Sequence, residues 1–115
     1  MRALILACTA ALLLVSFSAR AIELQFDRIG TLDGLAQATA TSIVEDADGF
    51  IWIGSQDGLS RYDGHRIKVF RVQRGRAGSL SDNYVNSLHV ASDGALWIGT
   101  RSGSVDRYDA RNERF

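Results

Sequence analysis

The chain has 115 residues, room for one small domain. Its 13 basic and 13 acidic residues cancel, which argues against both a nucleic-acid-binding surface and an acidic solvating tail. Proline is absent and 11 glycines are present, so Gly and Asp must make the turns.

Residues 1–21 read as a secretory signal peptide. Arg2 supplies a short positive start, and Ala3 to Phe17 is apolar or small except for Thr9 and Ser16. Ser18-Ala19-Arg20-Ala21 then gives an A-x-A site, with cleavage after Ala21. The apolar run is about 15 residues, short of the roughly 20 that a spanning helix needs. The lone cysteine, Cys8, lies inside this leader. The mature chain from Ile22 therefore has no disulfide and no thiol chemistry. It is expected to be mildly acidic, periplasmic and without a membrane span.

Ile22-Glu23-Leu24-Gln25-Phe26 alternates like a short strand and is followed by Gly30 and Asp33-Gly34-Leu35. From there the sequence repeats. Trp52 returns as Trp97, 45 residues later, with Asp48-Gly49 on Asp93-Gly94 and Ile53-Gly54 on Ile98-Gly99. Upstream, Leu35 falls on Leu80, Ser42 on Ser87 and Ile43 on Leu88. One extra residue, placed at Ser104, puts Leu59 on Val105 and Arg61-Tyr62-Asp63 on Arg107-Tyr108-Asp109. A period of about 40–50 residues is that of propeller blades.

Each copy reads as short strands. Ser42–Glu45 and Ser87–Val90 are first strands, Phe50–Ser55 and Ala95–Thr100 second, Leu59–Tyr62 and Val105–Tyr108 third. His65–Val72 is an outer fourth strand, and Phe115 stands where its own would begin. Asp48-Gly49, Asp93-Gly94, Asp57-Gly58 and Ser102-Gly103 are expected turns, with Gly taking the positive φ of primed hairpins. No stretch shows a capped helical period. On the second strand Phe50, Trp52 and Gly54 point one way, Ile51 and Ile53 the other. Both faces are apolar, so both must be covered, as in a stack of blades and unlike a sheet with one wet face. Gly54 and Gly99 are expected where another chain segment comes close.

These stretches resemble the repeat of two-component regulator propellers, the periplasmic sensor regions of bacterial signalling receptors. The resemblance rests on Gly34-Leu35 with Ser42-Ile43, on Leu80-Ser81-x-Asn83-x-Val85-x-Ser87-Leu88, on the two D-G-x-x-W-I-G stretches, and on Gly58-Leu59-x-Arg61-Tyr62-Asp63-Gly64. The first copy departs from it at Ala38 and Ala40, where the pattern prefers Asn and a larger apolar residue. The second departs at Gly103-Ser104-Val105 and Ala110. The fold expected is all-β: about two four-stranded antiparallel blades of an incomplete propeller. Residues 22–32 would be the outer strand of a preceding blade, 33–75 blade one and 76–115 an incomplete blade two. The resemblance implies an N-terminal fragment of a receptor whose output is a histidine kinase or a diguanylate cyclase behind a membrane helix. It also implies a sensory role, with a small-molecule or oligosaccharide ligand and with other blades, from this or a neighbouring chain, as partners.

The residues themselves offer little chemistry. Asp46-x-Asp48-Gly49 lacks the further oxygen ligands and closing Glu of a calcium loop. His65 and His89 have no partners at zinc spacing; His65 sits in a turn, and His89 on a strand that would line a central channel. There is no nucleophile elbow and no nucleotide loop. Arg61-Tyr62-Asp63 and its copy read as structural, the Arg stem lying across a Tyr and the Asp opening a turn. The run Arg71, Arg74, Arg76 reads as a solvated loop, with no stacking aromatics for nucleic acid. No catalytic residue, metal ligand or cofactor is assigned, the ligand-binding residues are left open, and no nucleic-acid partner is expected. An exported glycan-active or lyase propeller and a plain interaction scaffold are the alternatives; the former needs paired carboxylates. Two blades leave two apolar faces open, so the chain alone is expected to be marginal, oligomeric or prone to aggregate.

Overall fold

In a computed structural model the described residues are 2–4 and 20–115. Most of the expected leader, including Cys8, lies outside them. The described chain is all-β apart from a 3-10 turn at Thr31–Asp33 and residues 2–4. β1 (Ala40–Glu45), β2 (Ile51–Ser55), β3 (Gly58–Tyr62) and β4 (Ile67–Phe70) form one antiparallel meander, sheet A. β5 (Val85–Val90), β6 (Leu96–Thr100) and β7 (Val105–Arg107) form a second, sheet B. Ile22–Phe26 pairs with no strand among the described residues. Its Ile22, Leu24 and Phe26 side chains are exposed. The outer strand of a preceding blade would need the third strand of that blade beside it.

The first hairpin of each sheet differs from expectation in a small, physical way. Gly49 and Gly94 do take positive φ, +84° and +83°, but no neighbouring non-glycine does. Asp46 N–H donates to Phe50 O (2.9 Å) and Gly49 N–H to Asp46 O (3.1 Å). These are three-residue loops with a glycine bulge rather than two-residue primed turns. The next turn differs between the copies. In sheet A, Ser55 pairs directly with Gly58 across Gln56-Asp57. In sheet B, Thr100 N–H donates to Ser104 O across three residues, and Gly103 takes φ +86°. The inserted residue is absorbed in this loop, so the strand register on either side is kept.

The core lies between the sheets. Trp52 is fully buried and packs with Leu59, Leu80, Val85, Leu88, Leu96, Ile98 and Tyr108. Its ring stacks on Phe70 (5.6 Å) and meets Tyr108 edge-on (4.7 Å). Such pairs add about 0.5–1.5 kcal/mol beyond the area they bury. Alternation decides which residues take part. Phe50, Trp52 and Gly54 form the front of sheet A, and Leu96, Ile98 and Thr100 form the back of sheet B. Sheet B thus packs by its back on the front of sheet A. The other two faces are less covered: Ile43 on the back of sheet A is 64% exposed, although Ile53 and Ser60 on the same face are buried, and Val105 on the front of sheet B is 66% exposed.

One contact sets the spacing of the sheets. A Cβ on Gly54 would lie 2.7 Å from Cγ1 of the buried Val85, closer than real Cβ contacts come. Gly99 is equally crowded, but by Ser87 Oγ of its own sheet. Gly54→Ala should lower stability by about 1–3 kcal/mol through overpacking. Val85→Ala in the same chain should recover part of that loss, because the two sites share one contact. Urea unfolding of the two single variants and the double variant checks this; strictly additive losses would refute it.

Candidate functional site: the cleft between the two blades

Arg61, Asp46 and Asp48, singled out in the sequence, lie where the sheets meet, together with Glu113. Arg61, on β3, lies over the rings of Phe50 (4.9 Å), Trp52 (5.7 Å) and Phe70 (5.8 Å). Its guanidinium donates to Tyr108 Oη of the other sheet (2.9 Å) and to Glu113 Oε1 (3.2 Å). Lys68 pairs with the second oxygen of Glu113. The tyrosine that Arg61 meets is the one of the next copy, Tyr108, and not its sequence neighbour Tyr62. A β-strand turns successive side chains to opposite faces, so Arg61 faces the neighbouring blade and Tyr62 faces away from it. Asp63 and Asp109 do open turns: Asp63 Oδ1 accepts from His65 N–H (2.8 Å) and Arg66 N–H (2.7 Å), and Asp109 Oδ1 from Arg111 N–H (3.0 Å).

Asp46 closes the same cleft. Its Oδ1 accepts from the backbone N–H of Asp48 (2.9 Å) and Phe50 (3.0 Å), and its Oδ2 from Trp52 Nε1 (2.7 Å). A carboxylate with three fixed donors orients the core indole and shapes the turn. This accounts for the calcium-like spelling of the segment without a cation. Asp46, Asp48, Phe50, Arg61, Tyr108 and Glu113 line a cleft of about 340 Å³, at the small end of ligand-sized pockets. It offers an aromatic floor with paired charges at the rim. Among the described residues no group of three or more His, Cys, Asp or Glu side chains is placed to hold a metal.

His65 sits exposed in the β3–β4 turn, and His89 lies on β5 opposite Trp97. His89 thus shares the front face of sheet B with Trp97. Arg71 is tied to Asp57 (Nε to backbone O 2.9 Å), and Arg76 to Gln73 (2.8 Å).

Asn83 is a contact the repeat pattern did not explain by itself. Its backbone O accepts from Gly58 N–H (2.7 Å) and its Oδ1 from Val72 N–H (2.7 Å). Thr41 Oγ1 donates to Val85 O (2.6 Å), and Ser42 Oγ accepts from Leu88 N–H (3.1 Å). Asn83 and Val85 thus grip the blade before them. Their counterparts are Ala38 and Ala40, the two departures of the first copy. The first copy thus lacks, at these two positions, the residues that grip in the second.

Asp46→Ala strands the Trp52 indole N–H and two turn donors. It should cost about 1–3 kcal/mol and alter the Trp52 fluorescence band; denaturant unfolding followed by fluorescence checks both. Burial, opposed in part by the Arg61 cation, pushes the Tyr108 phenol above its ordinary value of 10.0. A raised acid contributes stability that is full below the unfolded value and lost as pH climbs through the folded one. Stability should therefore fall above pH 10.0, and the Tyr108→Phe variant should lose less over the same range. Equal slopes for both chains in urea titrations would contradict the assignment.

The two blades have counterparts among known proteins. The two component regulator propeller family matches at residues 34–57 and again at 79–102. Histidine kinase P4 of Formosa agariphila is 33% identical over 69 residues, which is 60% of this chain and 5% of the kinase. The extracellular domain of BT3049 from B. thetaiotaomicron, described as a hybrid two component system, superposes with a TM-score of 0.69 at 25% identity. That match covers 77% of this chain and 12% of the domain. The extracellular domain of BT4673 from the same organism superposes with a TM-score of 0.59 at 28% identity, over 83% of this chain and 13% of that one. The chain therefore spans a small part of the length of each relative. Its paired D-G-x-x-W-I-G strands, stacked face to back, match the repeat of the two component regulator propeller family.

Proposed function

We propose that the chain is a sensory propeller module of a bacterial signal-transduction receptor, working outside the cytoplasm. The observation that carries this is the match of both blades, in sequence and in stacking, to extracellular domains described as parts of two component systems. The leader-like residues 1–21 support export to the periplasm. Among the described residues no helix is long and apolar enough to cross a membrane. The module carries no catalysis in this reading. A histidine kinase is the output favoured by the P4 relative, with a diguanylate cyclase the less supported choice.

Signalling requires a ligand or partner that binds two receptor states unequally. The cleft beside Arg61 suits a polar small molecule or oligosaccharide, with aromatic faces to stack on and charges to bind hydroxyls. Blades from the same or a neighbouring chain would complete the propeller around it. Two measurements test the reading. Alkaline phosphatase fused after residue 30 should be active in the periplasm; a cytoplasmic, inactive fusion would defeat the export half. A panel of oligosaccharides at 100-fold over a true dissociation constant should stabilise the chain by about 2.7 kcal/mol, visible as a rise in melting temperature. That rise should vanish in Arg61→Ala, and its persistence there would remove the cleft from consideration.

A further inference from the structure

Two cations of sheet A stand side by side. Arg61 on β3 is the direct cross-strand partner of Lys68 on β4. Like charges placed opposite one another repel. Both nevertheless lie over the Phe70 ring, Arg61 at 5.8 Å and Lys68 at 5.3 Å, and Phe50 and Trp52 extend this aromatic floor under Arg61. A single carboxylate holds the pair together. Arg61 Nη2 donates to one oxygen of Glu113, and Lys68 Nζ to the other. Two cations converging on one carboxylate over aromatic faces are, in chemical terms, a carboxylate site, and Glu113 occupies it.

The occupant is delivered at a cost. After β3 the chain turns over Gly64-His65, with Asp63 N–H donating to Arg66 O (3.2 Å). After β7 the turn closes between Asp109 N–H and Arg114 O (2.7 Å), over the longer stretch 110–113. The added length carries Glu113 to sheet A. Among the described residues Glu113 is the only non-glycine with positive φ, +49°, a conformation that crowds any residue with a Cβ. Its side chain stays 43% exposed, within reach of a solute. The hydrogen bond from Lys68, then that from Arg61, holds its carboxyl below the ordinary value of 4.5. At neutral pH it is therefore an anion, and another carboxylate could replace it with no change of charge.

We propose that Glu113 is an internal stand-in for a ligand, and that a hydroxylated carboxylate such as a sugar acid exchanges with it on Arg61 and Lys68. The inference rests on the reading of the cleft beside Arg61 as a binding site and names the chemistry of what enters it. Arg61 and Glu113 both line that cleft, and Asp48 lines it too, an acceptor for hydroxyl groups once the carboxylate is seated. Asp46 is already engaged by three N–H donors. Exchange frees Glu113 from its crowded conformation and unties its turn from sheet A. Arg61 keeps Tyr108 (2.9 Å). The bound and free states then differ in one polar link between the blades, the kind of difference through which a ligand shifts an equilibrium.

Isothermal titration calorimetry of the whole chain with sodium glucuronate and with glucose, at fixed ionic strength, tests the exchange. Wild type should bind glucuronate about tenfold or more tightly than glucose, the scale of hydrogen bonds to a charged group. Glu113→Gly removes the internal carboxylate and suits the positive φ, so the turn should keep its shape, which circular dichroism checks. This variant should bind glucuronate about tenfold more tightly than wild type, because no occupant has to leave first, with glucose unchanged. Adding Lys68→Ala to Glu113→Gly should cancel the gain. Glucuronate binding in Glu113→Gly no tighter than in wild type, or a gain that survives Lys68→Ala, overturns the proposal. If Glu113→Gly does not fold, wild type alone decides, and equal affinity for the two sugars, or no binding of glucuronate, overturns it. Equal binding of both sugars leaves the sensory reading standing. An inactive export fusion defeats that reading and leaves the exchange intact, so the two failures are distinguishable.

Discussion

A blade of this protein is apolar on both faces, and everything else follows from that. A strand such as Ile51–Ser55 has no side that water can wet, so its sheet is stable only when sandwiched. The molecule satisfies half of the requirement internally. Trp52 fills the space between the sheets, Val85 fits the hollow left by Gly54, and Asp46 holds the indole by its N–H. The charged residues near the site serve the same end. Arg61 spreads its guanidinium over three aromatic rings and ends on Tyr108 and Glu113 of the other blade. A cleft between blades is then a by-product of stacking, ready for a ligand that touches both sides at once.

Much of this was legible in the residues. The two-sided apolar pattern of β2 and the 45-residue return of Trp52 specify stacked blades, and the glycines at 54 and 99 mark close approach. The turns were legible in position but not in type, because Asp-Gly serves both two-residue and three-residue hairpin loops. What alternation and spacing conceal is reach across the gap. Nothing local says that Arg61 prefers Tyr108 to its neighbour Tyr62, or that Asp46 spends its carboxylate on an indole six residues on. Those choices are made by which face a side chain shares with the next sheet. Glu113 was missed for a similar reason: it sits in a turn, at φ +49°, where its sequence carries no repeat to compare.

The places where the two copies differ are as informative as those where they agree. Ala38 and Ala40 read from sequence as weakened repeat positions. In the fold they are the positions whose twins grip a preceding blade. Ala91 replaces Asp46 in the second copy, and Trp97, unlike Trp52, remains partly exposed. Among the described residues, imperfect repetition follows the different surroundings of the two blades.

The grip of one blade on another also has a direction along the chain. Asn83, Val85 and Leu88, which hold sheet A, all lie at or before β5, the first strand of their own blade. In a chain delivered N-terminus first, the earliest part of a new blade is therefore the part that clamps the finished one. β5 would take hold of sheet A before β6 and β7 arrive, while Trp52 waits for Leu96, Ile98 and Tyr108 to complete its cover. A propeller built this way has each finished blade partly covered by the first strand of the next, which shortens the time its apolar face is wholly available to other chains.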